Sequence, residues 1–132
     1  MINKQIANAA EAVADVFDGA TIMIGGFGEA GSPIELILAL IDQGASNLTV
    51  INNNTGSGEV GLSALIKAKR VSKMICSYPR TANSTVFPKL YHSGDTKLEL
   101  VPQGTLAERI RAGGSGIPAF YTPTSLGTPL GE

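Results

Sequence analysis

A glycine-rich heptapeptide, Gly25-Gly26-Phe27-Gly28-Glu29-Ala30-Gly31, carries the clearest chemical signal in this sequence. It contains a formal G-x-G-x-x-G at Gly26, Gly28 and Gly31, after an apolar run and before a helix-start pattern. That order suits a phosphate-cradling turn, because glycine lets backbone amides close on an anion. Two details argue against a dinucleotide site. About 20 residues further on, where an acid would hold the ribose hydroxyls, stand Asn52, Asn53 and Asn54. Pro33 also removes one amide from the helix end that would face a pyrophosphate. What remains is flexible backbone whose N–H groups can approach an anion or a developing oxyanion.

The elements that must position this loop follow from hydrophobic patterning. Residues 20–24 form a short apolar run with β-branched members, ended by Gly25 and Gly26, which predicts a strand buried on both faces. Ser32, Pro33 and Glu35 read as a capping box, with Ser32 as N-cap and Pro33 at the first helical position of a helix that stops at Gly44. Residues 48–51 repeat the strand signature and break into an asparagine-rich turn over 52–58. A helix over 59–69 places Val60, Leu62, Leu65 and Ile66 on one face. Lys67, Lys69 and Arg70 crowd its end, where cations complement the dipole. Further strands are expected at 71–77 and 97–101, a weaker helix at 86–92, and a last helix at 105–112 ended by Gly113 and Gly114.

Strands alternating with helices at intervals of about 25 residues specify the α/β class: βαβ units in a mostly parallel sheet with flanking helices. Loops at the carboxyl ends of such strands line the ligand crevice. The turns that begin at Gly25, Asn52 and Gln103 should therefore converge.

Composition excludes several other classes. The 132 residues suffice for one domain, 1–132, with a single core. Ten basic and eleven acidic side chains give a formal charge of −1, so no cationic field draws the chain to nucleic acid. The most apolar run, 34–41, includes Glu35 and is far shorter than the roughly 18 residues that span a bilayer, so no membrane association is expected. The lone Cys76 allows no internal disulfide and reads as a buried small hydrophobe. With no secretory pattern at the start, we expect a cytoplasmic protein. His92 stands without a second histidine or a nearby cysteine, which predicts no metal site. Pro102, Pro118, Pro123 and Pro129 leave the last part of the chain poor in regular structure. It stops without a closing element, as an incomplete, C-terminally truncated domain would.

Residues 18–33, DGATIMIGGFGEAGSP, resemble the signature of the coenzyme A transferase family, in the first of the two subunits that its two-chain members have. The resemblance extends through Asn52-Asn53-Asn54, Cys76-Ser77-Tyr78-Pro79-Arg80 and residues 101–114, and covers roughly the first three-fifths of such a subunit. It implies transfer of CoA from one acyl group to another carboxylate through a glutamate nucleophile that carries CoA as an enzyme thioester. In two-chain members that glutamate lies in a Ser-Glu-Asn-Gly motif of the other CoA-transferase subunit. No such motif occurs here, Ser57-Gly58-Glu59 being the nearest imitation.

The resemblance therefore implies a hetero-oligomer with a partner CoA-transferase subunit, no catalytic residue in this chain, and no cofactor beyond the coenzyme A thioester that is its substrate. Succinyl-CoA is the implied donor and a 3-oxoacid the acceptor, 3-oxoadipate ahead of acetoacetate. The implied CoA- and substrate-binding floor is Gly25, Gly26, Phe27, Gly28, Glu29, Ala30 and Gly31, with Asn52, Asn53 and Gln103 aiming polar groups at the thioester carbonyl. Arg80 is the candidate fork for the second carboxylate of a dicarboxylic acyl group. The residues by themselves leave open a different class, a binding module for a sugar phosphate or nucleotide on the same scaffold.

Overall fold

Each apolar run that combines β-branched residues with a glycine or asparagine break forms a strand. The computed structural model, which describes residues 2–81 and 83–131, contains β1 (Thr21–Met23), β2 (Leu48–Ile51), β3 (Val71–Cys76) and β4 (Lys97–Leu100). They pair in parallel in the order β1-β2-β3-β4, with Ile22 opposite Val50, Val50 opposite Met74 and Met74 opposite Leu98. The crossovers are α2 (Ile34–Gln43), α3 (Gly61–Lys67) and α4 (Val86–His92). A short α1 (Ala9–Ala12), absent from the sequence reading, precedes β1, and α5 (Gln103–Gly114) follows β4. One turn of helix is too short to give a periodic signal; α1 is fixed by Asn8, whose Oδ1 accepts the Glu11 N–H at 2.9 Å.

Adding every strand on the same side of its predecessor sends successive crossovers over one face of the sheet. Accordingly α1 packs on α2, α2 on α3 and α3 on α4. The core lies between these helices and the sheet. Leu48, Val50, Met74 and Cys76 meet Ile37 and Leu40 of α2, Leu62, Leu65 and Ile66 of α3, and Phe87 of α4.

The opposite face is more open. Met23, Ile51, Ile75 and Glu99 share one row across the four strands, and Met23 is 63% exposed. The expectation that the first strand is buried on both faces is therefore corrected. β1 is an edge strand of the described sheet, and only α5, through the buried Leu106, closes part of this second face. Lys73 and Glu99 also sit there, paired at 2.7 Å, with Arg109 of α5 at 3.0 Å from the same carboxylate.

Helix starts differ from the reading in three places. Pro33 rather than Ser32 occupies the N-cap of α2, without a side-chain cap bond. The Ser32 carbonyl instead accepts the Ile34 N–H at 2.9 Å. Val60 is the N-cap of α3 and 53% exposed, outside the buried stripe made by Leu62, Leu65 and Ile66. α5 begins at Gln103 because Pro102, with φ −51° and ψ 139°, provides an extended N-cap. Gly44 ends α2 in the left-handed region, φ 97°, as its position suggests. Beyond α5, residues 115–131 form turns without helix or strand.

Candidate functional site at the carboxyl ends of the strands

The three loops expected to converge do so. The first leaves β1 with the Ile24 N–H still donating to the Ile51 carbonyl at 3.0 Å, then doubles back in a tight turn. Phe27 and Ala30 exchange backbone hydrogen bonds of 2.8 and 3.2 Å, which holds Phe27 at the tip, 71% exposed. Two amides of the segment are thus consumed internally. Those of Gly25, Gly26, Gly28, Glu29 and Gly31 donate to no backbone carbonyl among the described residues. Gly26 has φ 120°, and a Cβ there would lie 3.2 Å from the Ser32 backbone, so the return of the chain requires glycine.

The Glu29 Oε1 accepts the Ser57 N–H at 3.2 Å, tying the first loop to the second.

The asparagine triplet divides by position. Asn52 is buried, and its Nδ2 donates to the carbonyls of Ile24 at 2.5 Å and Gly25 at 3.3 Å. Its Oδ1 accepts the Asn54 N–H at 2.8 Å. Both ends of this amide are therefore engaged with backbone, so Asn52 latches the first loop onto β2 while also lining the cavity beside β1. Asn54, also buried, accepts the Gly56 N–H at 2.7 Å, and the Thr55 hydroxyl donates to the Pro79 carbonyl at 2.7 Å. Only Asn53 reaches across the mouth: its Oδ1 accepts the Gln103 Nε2 at 2.9 Å. Its carbonyl accepts the N–H groups of Ser77 and Tyr78 at 3.2 and 3.0 Å, which positions the third loop.

The Asn53–Gln103 pair stands between two adjoining cavities. One, of about 320 Å³, lies against β1 and α5, with apolar walls from Met23, Ile51, Leu106 and Ile110 and with Gly25 and Gly26 at its edge. The other, of about 430 Å³, is lined by Phe27, Asn53, Ser77, Tyr78 and Gln103. Among the described residues neither is lined by a side chain charged at neutral pH, so both offer apolar surface and neutral hydrogen-bonding groups. A larger cleft of about 610 Å³ between α3 and α4 shares no lining residue with them. Of its three lysines, Lys67 and Lys69 are paired with Glu59 at 2.8 Å and Asp95 at 3.1 Å, and Lys89 makes no ion pair among the described residues.

Other candidates from the sequence fall outside the mouth. Arg80 is exposed on the loop after β3, lines neither cavity and makes no ion pair among the described residues. Glu59 is exposed and paired with Lys67. Cys76 is fully buried, and burial pushes its thiol up to about 11, which makes it inert at neutral pH. On the open face, the Lys73 ammonium holds the Glu99 carboxyl below its usual range, with Arg109 contributing. Among the described residues no cluster of His, Cys, Asp or Glu could hold a metal ion, and no helix is long and apolar enough to cross a membrane. Ser77 and Tyr78 line the second cavity although motif reasoning did not select them as site residues; Ser77 lies two positions after Ile75, so strand alternation could have flagged it.

A family model described as coenzyme A transferase matches residues 6–131. The chain belongs to the coenzyme A transferase family. It is 57% identical over 132 residues to a 3-oxoadipate CoA-transferase subunit of Pseudomonas putida, covering 57% of that protein. It is 47% identical over 131 residues to a probable succinyl-CoA:3-ketoacid coenzyme A transferase subunit of Bacillus subtilis, covering 54%. This family member thus spans little more than half the length of the curated relatives it matches.

The solved glutaconate coenzyme A-transferase from Acidaminococcus fermentans shares the fold over 95% of this chain and 40% of its own, with a TM-score of 0.79 at 24% identity. The expected α/β, transferase-like architecture is therefore correct. A structure described as a decarboxylase shares it too, over 94% of this chain and 48% of its own, with a TM-score of 0.75 at 23% identity. The family fold alone does not choose the reaction.

Proposed function

We propose that this chain is the N-terminal part of one subunit of a two-chain CoA transferase that moves CoA from succinyl-CoA to 3-oxoadipate, with the nucleophilic glutamate on the partner subunit. The observation that carries the reading is the identity over the whole chain. It is 57% and 54% to two 3-oxoadipate CoA-transferase subunits, against 47% and 46% to probable succinyl-CoA:3-ketoacid transferase subunits. A cytoplasmic hetero-oligomer follows from the same reading.

The geometry at the strand ends is compatible with such a role. After their mutual bond the Asn53 Nδ2 N–H groups and the second Gln103 Nε2 N–H have no acceptor among the described residues, so the pair can polarise a thioester carbonyl by donating to it, without charge. The apolar cavity beside Gly25 and Gly26 suits a slender thiol-bearing arm such as pantetheine, with coenzyme A as substrate rather than resident cofactor. Nucleophilic attack on a thioester needs an accessible, unpaired carboxylate. Glu29 and Glu59 are both engaged, to the Ser57 N–H and to Lys67.

The test mixes the full-length chain with the partner subunit and follows succinyl-CoA consumption. Transfer is expected only on mixing, faster with 3-oxoadipate than with acetoacetate, and unchanged by Glu59→Gln. Activity without the partner overturns the two-chain reading, and a preference for acetoacetate overturns the substrate.

A further inference from the structure

The Ser77 hydroxyl is a buried polar group with no hydrogen-bond partner among the described residues. Its backbone N–H is anchored, donating to the Asn53 carbonyl at 3.2 Å, while the hydroxyl is left without a partner among the described residues. Buried hydroxyls are nearly always paired, and one left unpaired carries a desolvation penalty that a ligand oxygen could relieve. Ser77 also lines the cavity of about 430 Å³ bounded by Phe27, Asn53, Tyr78 and Gln103.

We infer that Ser77 is a substrate-binding residue, donating its hydroxyl to a carboxylate oxygen of the acceptor acid. The assignment rests on the proposed transferase function. Serine has three staggered χ1 wells, so its hydroxyl can change direction without moving the backbone. The lining explains why a neutral donor serves here. An acceptor carboxylate must remain nucleophilic, and its charge disappears when it becomes an acyl group. Hydroxyl and amide donors orient it without the strong ground-state pairing that a cation would impose. Among the described residues no charged side chain lines this cavity.

The full-length chain paired with its partner provides the test, through Ser77→Ala and the nearly isosteric, weakly donating Ser77→Cys. Both variants should raise the KM for 3-oxoadipate about tenfold, the value of one hydrogen bond to a carboxylate, with the KM for succinyl-CoA within about twofold. Because the hydroxyl has no partner to lose, Ser77→Ala should leave Tm unchanged or raise it. A KM for 3-oxoadipate within about twofold of wild type in both variants overturns the inference, as does a fall in Tm with kcat and both KM values shifting together. If the wild-type pair transfers no CoA to any 3-oxoacid, the proposed function itself is wrong. An active wild type with indifferent Ser77 variants removes only the present assignment.

Discussion

The first and second loops at the carboxyl ends of the strands are built on opposite principles. Residues 25–31 project an exposed Phe27 and leave five amides without backbone acceptors among the described residues. Residues 52–58 contain buried Asn52, Asn54 and Thr55, whose side chains all bond to backbone. The glycine loop is surface offered outward; the asparagine loop is scaffold. The contrast shows that polar residues at strand ends can serve the backbone first, and that ligand-facing groups are those left over. Asn53 is such a residue, meeting Gln103 while the side chains of its neighbours bond to backbone.

The contrast yields a graded set of stability expectations for this chain, measured by urea titration. Gly56→Ala should be the most damaging. Gly56 has φ 76°, and a Cβ there would lie 2.6 Å from the Ser63 backbone nitrogen, so left-handed strain and a backbone clash add to about 3–4 kcal/mol. A loss under about 1 kcal/mol would mean that the second loop is not the rigid element. Asn52→Ala comes next, at about 2–3 kcal/mol, because the Ile24 and Gly25 carbonyls and the Asn54 N–H lose their partner together. The same exchange at Phe27 should change stability by less than about 0.5 kcal/mol, since the ring is mostly in solvent. A larger drop for Phe27→Ala than for Asn52→Ala would reverse the roles of the two loops.

Much of this organisation is legible in the residues themselves. β2, α4 and the stop of α2 at Gly44 fall where patterning puts them, because each rests on local chemistry: β-branched runs, helical spacing, a glycine free to take positive φ. The convergence of the Gly25, Asn52 and Gln103 turns follows from parallel topology and needs no coordinates. Ser32 misleads because capping is decided by where the chain comes from. The tight Phe27–Ala30 turn delivers the backbone so that Pro33 takes the cap position. β1 misleads because an apolar run cannot tell which of its faces will be covered; among the described residues, Met23 lies on the face that α5 partly covers.

The two clearest divisions lie within single motifs. Asn52 and Asn53 are the same residue type in adjacent positions and line the same cavity, yet Asn52 spends its amide on backbone while Asn53 meets the Gln103 side chain. Arg80 is chemically suited to grip a carboxylate, yet its loop holds it exposed and away from both cavities. Sequence determined the family, the α/β order and the set of polar residues available at the strand ends, because these depend on residue type and local spacing. Tertiary structure decided which of those residues are consumed by the scaffold and which remain free. A hydrogen-bonding group satisfied by a backbone 28 residues away, as Asn52 is by Ile24, carries no local mark of that partner.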